Sequence, residues 1–541
     1  MTIDACETKG SSAVARLSLS DLPEDCFLPI LEYLQIYDVA RCQLVSRAWR
    51  SAFTNPLYME MVLKMYGNAR ELQQVDRARG DDEIARIFSR LASRYYHLAH
   101  GKIRTIDRYK IAASEQRGDF VPVGQWDYHE SQPGGRLYFE NAATHLSRLN
   151  MAAKPYLFRS TLWSYDDGLL VYAPEQLPPD SPRTQILALL DLSTGFHFSV
   201  PFDITSKIIR NVRLSCHTLI VEWAERDPFH SLNDMEQVNR HFASCYDVIA
   251  SASKPTLYSV VHRNEFKLHF LGLPLLSSRD RFFSTHTQHH YAIYFWQPNR
   301  SMYTGDEELP IESLFVWDIS AASQYRPSLD PSGSNRPMDA RKGPHIVARF
   351  PFNELEFLGI RQHSQIRLMS LHLDSATKSL TWRENICEAG QGYFDPAGRW
   401  WTARSTTFPF VGAGPHHVVE GHENLPPYRG HASMESASLE DGEVEKWFVP
   451  IMDVVDPKTQ VRLSLVETCF TGWMMENRLV MRIGAPWMHE GDAQMEGGDV
   501  SYVVLKNDVA TRGISAMGRI AGDERWLLGQ NERMEISVLR F

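Results

Sequence analysis

Apolar positions change their rhythm along this chain. Between Leu17 and Phe53, large apolar residues recur at helical spacing: Leu22, Phe27, Ile30, Leu31 and Leu34, then Val39, Cys42 and Leu44, then Trp49 and Phe53. Three short helices are expected, with Ser20 or Asp21, Asp38 and Ser46 as caps. Asn55-Pro56 is a good helix start, carried on by LYMEMVLKMY to Tyr66, and charged residues from Asn68 to Gly80 mark a break. Asp81 or Asp82 then caps an amphipathic helix with Ile84, Ile87, Phe88, Leu91, Tyr95 and Leu98 on one face and Gly101 as its stop. That face packs on whatever follows, and the helix also serves as a rigid spacer.

From about Ile103 the period shortens to that of strands. Apolar or alternating blocks sit between Gly, Pro, Asp and Ser turns: GLLVYAP (168–174), TQILALLDLSTGFHFSVPF (184–202), TLIVEWA (218–224), HHYAIYFW (289–296), SLFVWDIS (313–320), QIRLMSLHL (365–373), RLVMRIG (478–484) and EISVLRF (535–541). Several end in Asp, a small residue or Thr, and a turn, as in Leu190-Asp191-Leu192-Ser193-Thr194-Gly195 and Val316-Trp317-Asp318-Ile319. So much strand and turn exceeds one sandwich. The expected architecture is a small N-terminal all-α part followed by a large all-β domain, a β-propeller of six to eight blades, with paired β-sandwiches as the alternative. The last strand is expected to close the ring beside an early one.

The domain plan is a polar, disordered tail at 1–16, a helical module with its following helix at 17–66, a helical linker at 67–102, and a β-rich domain at 103–541. Long hydrophilic loops are expected near 225–245, where a short helix fits, and at 320–344 and 412–442. The first helical stretch has a further implication. Roughly forty residues carrying roughly a dozen large apolar side chains cannot bury them all against one another, so some must meet another chain or domain. On physics alone it is a docking handle.

The same stretch resembles an F-box, the motif by which substrate receptors attach to the Skp-family adaptor of SCF-type (cullin-RING) ubiquitin ligases. The pattern is carried by Leu22, Pro23, Asp25, Phe27, Leu28, Ile30, Leu31 and Leu34, and by Val45, Ser46 and Trp49 with Leu44 just before. Pro29 departs from it, so the first helix is expected to kink or restart there. The resemblance implies that Leu22, Pro23, Ile30, Leu31, Leu34, Leu44, Val45 and Trp49 form or support the adaptor-binding surface. It implies a non-enzymatic substrate-recognition subunit, with the adaptor, a cullin behind it, and a protein target as partners. An F-box scaffold acting outside the ligase is the alternative, and a propeller enzyme with a channel site is a third. A β-rich body behind an N-terminal F-box is similar in style to the large set of fungal F-box proteins.

Composition fits this picture. A net charge of -10 without a basic run argues against nucleic acid as a partner. Seven scattered cysteines without a C-x-x-C pair read as reduced thiols of a cytoplasmic or nuclear protein. The first sixteen residues lack a signal-peptide core and no apolar run is long enough to span a membrane, so no membrane is expected. Candidate chemistry is weak throughout. His286, His289 and His290 would not share one strand face, and His416, His417, Glu420, His422 and His431 have spacings unlike structural zinc. Asp166-Asp167 precede Gly168 in a hairpin turn, and Trp400-Trp401 read as packing. There is no Walker loop, dinucleotide fingerprint, H-E-x-x-H or G-x-S-x-G. No catalytic residue, metal or cofactor is expected.

Overall fold

The computed structural model describes residues 24–73, 80–112, 163–177, 182–231, 237–251, 254, 257–268, 281–297, 310–337, 339, 342–363, 368–389, 399–411, 419–421, 428–429, 446–470, 478–484, 502–514, 517–531 and 533–541. The expected tail at 1–16 and the capping residues Ser20 and Asp21 lie outside them.

Six helices come first: α1 (Glu24–Tyr33), α2 (Ile36–Cys42), α3 (Arg47–Phe53), α4 (Pro56–Met65), α5 (Arg70–Gln73) and α6 (Asp81–Ala99). Helix α1 runs through Pro29 without a restart, at the loss of the bond its N–H would make. Two expected caps are replaced. Gln35 precedes α2, leaving Asp38 inside its first turn, and Gly80 precedes α6, leaving Asp81, Asp82 and Glu83 in its first turn. Those carboxylates still favour the positive end of the helix dipole. The caps at Ser46 and Asn55 form as read. The Trp49 N–H donates to Ser46 Oγ (3.1 Å), and the Leu57 N–H donates to Asn55 Oδ1 (3.0 Å). Helices α2 and α4 pack on α6 around a core of Phe27, Leu31, Val39, Phe53, Leu63 and Leu91.

From Thr105 on, the described strands form a β-propeller of six blades in a ring. Strand β1 (Thr105–Lys110) waits for the end of the chain. Blade 1 is β2 (Trp163–Asp166), β3 (Leu169–Tyr172), β4 (Ala188–Asp191) and β5 (His197–Ser199). Blade 2 is β6 (Lys207–Ser215), β7 (Thr218–Glu225), β10 (His241–Ala250) and β11 (Tyr258–Lys267), with the small hairpin β8 (His230–Ser231) and β9 (Gln237–Val238) between its middle strands. Blade 3 is β12 (Arg281–His286), β13 (His290–Gln297), β14 (Ile311–Asp318) and β15 (His345–Pro351). Blade 4 is β16 (Leu368–Asp374), β17 (Ser379–Ala389), β18 (Arg399–Pro409) and β19 (Val419–Gly421), with β20 (Tyr428–Arg429) also on β18. Blade 5 is β21 (Lys446–Val455), β22 (Arg462–Phe470), β23 (Arg478–Gly484) and β24 (Tyr502–Val504). Blade 6 takes β25 (Met517–Gly522), β26 (Trp526–Gln530) and β27 (Glu535–Arg540) from the end of the chain and β1 from the start of the domain, with Thr105 opposite Arg540. The blade shared by the two ends of the domain closes the ring, and each blade keeps only an outer edge strand.

First strands of neighbouring blades touch, as β2 does β6 and β25, so each first strand is innermost. Middle strands carry the bulk. Trp223 on β7 is stacked on Phe242 of β10 and donates its indole N–H to Ser244 Oγ (2.9 Å), while Trp382 on β17 stands edge-on to Tyr294 of β13. The Asp-turn rhythm marks the third-to-fourth-strand corner. Asp191 accepts from the Ser193 N–H (2.8 Å) and Thr194 Oγ1 (2.8 Å), and Asp318 accepts from the Ser320 N–H (2.8 Å).

Two of the expected loops are revised. In 225–245 the described residues are extended, forming the β8–β9 hairpin and the start of β10, rather than a helix beside the sheet. Phe242, Ala243 and Cys245, within that stretch, face the blade cores. The described part of 320–344 is a strap held on blade 2. The Ser323 N–H donates to the Arg263 carbonyl (2.8 Å), and the Ser328 N–H donates to buried Glu265 (3.1 Å). Most of 412–442 lies outside the described residues.

Candidate functional site

Two surfaces matter: the face of α1–α3, and the seat of the helices on the propeller. In the first, Leu31 is 0% exposed and lies in the helical core, while Leu34 and Trp49 are half-buried against it. The Trp49 ring tilts against Phe53 at 5.6 Å between centroids. Ile30 is half-buried, and Leu44 and Val45 stand 76% and 63% exposed in the turn between α2 and α3. Leu22 and Pro23 lie outside the described residues. The six described positions therefore differ in burial. Leu31 holds the module together, Leu34 and Trp49 straddle core and surface, and Leu44 with Val45 point into solvent. Two adjacent aliphatic residues this exposed, on a turn fixed by the Ser46 cap, make an uncovered apolar patch.

The second surface was not foreseen. Helix α5, within the charged stretch read as a break, inserts Arg70 among the first-to-second-strand turns of three blades. Its Nε lies 2.6 Å from Asp167 Oδ1 in blade 1, and its Nη2 lies 2.8 Å from Asp456 Oδ1 in blade 5. Its Nη1 bonds Glu524 of blade 6, a residue with no solvent exposure. Arg525 bridges Asp167 (2.6 Å) and Asp523 (2.8 Å), Lys458 reaches Asp167 (3.1 Å), and Arg94 of α6 pairs with Glu71 and approaches Glu524 at 3.7 Å. Burial opposes charge on Asp167, but Arg525, Arg70 and Lys458 outweigh it and hold its carboxyl at about 2. Asp456 is likewise held low, by Arg70 and by Thr459, against its burial.

Apolar contacts complete the seat. Leu98 of α6 joins Leu463, Ile483 and Leu527 in a core shared by blades 5 and 6. Gly101, at φ +56°, lies so close to Val504 that a Cβ there would stand 2.2 Å from the Val504 carbonyl oxygen. The linker at 67–102 is therefore a mount: it holds the helices on the face formed by the first-to-second-strand turns of blades 1, 5 and 6.

The histidines singled out in the sequence are placed as follows where they are described. Residues 287–289 form a turn between two strands rather than lying on one. His286 is buried with its ring nitrogens near the Arg213 carbonyl (3.3 Å) and the Thr287 carbonyl (3.2 Å), His290 meets Ser375 Oγ (2.9 Å), and His289 is exposed. Among the described residues no group of three or more His, Cys, Asp or Glu is arranged to hold a metal ion. Of the second histidine group only Glu420 falls within the described residues, in β19. Trp400-Trp401 are in β18.

Arg70, Asp167, Asp456 and Glu524 escaped sequence reading because they are up to 454 positions apart. The available signal was composition at strand turns: Asp166-Asp167, Asp456-Pro457-Lys458 and Asp523-Glu524-Arg525 each interrupt two apolar strands with charge. No curated protein matches the chain. A family model described as F-box-like matches residues 19–64, which spans α1 to α4, so this chain carries an F-box-like domain mounted on a six-bladed propeller.

Proposed function

We propose that this chain is the substrate-recognition subunit of an SCF-type ubiquitin ligase. The F-box-like domain docks a Skp-family adaptor, through it a cullin, and the propeller presents a protein target. The observation that carries this reading is the pairing of the F-box-like match at 19–64 with an apolar turn, Leu44-Val45, left exposed on that domain. Burial of apolar area supplies most of the docking affinity, at about 25 cal/mol per Å² before association costs. Catalysis belongs to the partners; this chain raises the effective concentration of target lysines near a charged conjugating enzyme. Such a receptor works in the cytoplasm or nucleus.

The experiment is affinity purification of the tagged full-length chain from cells, beside a Leu44→Asp/Val45→Asp variant, with mass spectrometry of what is retained. Wild type should bring down adaptor and cullin and the variant neither, while proteins retained by both are target candidates. Adaptor without cullin in the wild-type sample would favour a scaffold outside the ligase. Absence of the adaptor from the wild-type sample would overturn the reading.

A further inference from the structure

We propose that the joint between the helical module and the propeller is a proton-binding clasp: with the module seated, the buried ion cluster around Arg70 takes up one proton on Glu524, and seating is tighter at pH 6 than at pH 8. The inference stands on the joint alone and does not depend on the receptor reading.

The first ground is charge balance. Five carboxylates, Glu71, Asp167, Asp456, Asp523 and Glu524, face four cations, Arg70, Arg94, Lys458 and Arg525, among the described residues. Buried charges persist where they are paired, and this set leaves one anion over. Geometry shows which carboxylate carries the excess. Asp167 is bonded by Arg70, Arg525 and Lys458, Asp456 by both Nη atoms of Arg70 and by Thr459, and Glu71 by Arg94. Asp523 has Arg525 and the Tyr165 hydroxyl, which donates to it. Glu524 has Arg70 on Oε2 alone; its Oε1 is buried without a hydrogen bond, 3.7 Å from Arg94 Nη1.

The remaining titratable neighbours do not supply the missing charge. Tyr95 of α6 and Tyr165 of blade 1 are pushed up by burial and stay neutral, and Asp166 faces His217 on the far side of its turn. Burial first, and then Asp523, lift the Glu524 carboxyl to about 7 against the pull of Arg70, Arg525 and Arg94. The cluster titrates as a unit, and the midpoint belongs to it.

The sign follows from linkage. Seated, the carboxyl binds its proton with a midpoint near 7; unseated, it is an ordinary glutamic acid near 4.3. A raised value adds stability that is complete below the lower midpoint and is lost as pH rises through the upper one. Between pH 6 and pH 8 the equilibrium for unseating should rise about tenfold.

The test is hydrogen exchange of α6 in the full-length chain at pH 6 and pH 8, expressed as protection factors so that the intrinsic pH dependence of exchange cancels. Wild type should lose about tenfold in protection between the two, and Glu524→Gln should lose none. An equal change in both chains, or none in wild type, overturns the proposal. If Glu524→Gln does not fold, Asp523→Asn decides. Removing that neighbouring anion must move the midpoint of the protection change below pH 7, and an unmoved midpoint overturns the proposal as surely.

Discussion

Removing the Arg70 guanidinium is the sharpest perturbation of how this molecule is held together. Arg70→Met keeps the stem of the side chain and deletes its charge. Asp167 would keep Arg525 and Lys458, so its loss is partial. Asp456 and Glu524, at 2% and 0% side-chain exposure, would lose their principal cation with no water to replace it. Breaking a buried pair costs about 3–5 kcal/mol because it strands a buried charge. Glu524 relieves part of that cost by taking a proton, which places the expected loss near the lower end, about 3 kcal/mol. At about 1.4 kcal/mol per tenfold, the opening of the joint should become roughly a hundred times more populated. The assay is protection of α6 and α4 by hydrogen exchange, with blade 3 of the same molecule as internal reference. Arg86→Met is the control, since its pair with Glu83 is 65% and 35% exposed, where loss of the pair costs about 0–1 kcal/mol. If Arg70→Met lowers α6 protection no more than Arg86→Met does, the cluster does not hold the module and the reasoning fails.

Other perturbations probe the same framework. Gly101→Ala places a Cβ into the Val504 carbonyl in a left-handed conformation that itself costs about 1–2 kcal/mol, so limited proteolysis should cut between module and propeller far faster than in wild type. Asp167 has a depressed value of about 2, so its pairing adds stability above about pH 4 that is lost as pH falls through 2. Asp167→Asn should therefore be less stable than wild type at pH 7 in urea melts, with the gap closing towards pH 2. Deleting 535–541 removes β27, which links β1 to β26, and should yield a chain whose near-ultraviolet circular dichroism shows no native packing.

The fold was legible where local pattern and tertiary role agree. Strands such as Leu169–Tyr172 and Thr218–Glu225 are apolar runs bounded by turn residues, and Asp191 and Asp318 mark blade corners through bonds to Ser or Thr two or three positions on. The closing strand is as apolar as any, so the ring's end was visible. What the pattern hid were tertiary decisions. Residues from His241 to Cys245 sit within ten of a polar hairpin and were absorbed into a loop. Gly80 and Gln35 took the places before α6 and α2 because tertiary packing set the helix starts one or more residues ahead of the better-capping aspartates. For the handle, residue types were readable but exposure was not. Leu31 and Leu44 look alike in sequence, yet one is core and the other stands in solvent, because the packing of the helices on one another decides which face is covered. The ion cluster was the least legible of all, since each of its members looks like an ordinary charged residue of a turn or a helix.

The division between Leu31 and Leu44 also selects the most direct test of the central claim. Purified full-length chain is titrated with a purified Skp-family adaptor by calorimetry, beside Leu44→Asp/Val45→Asp, whose changes touch exposed positions and leave the helical core intact. The account predicts one-to-one binding by wild type with a negative heat-capacity change, and loss of binding in the variant with unchanged circular dichroism. No binding by wild type, or undiminished binding by the variant, would contradict it.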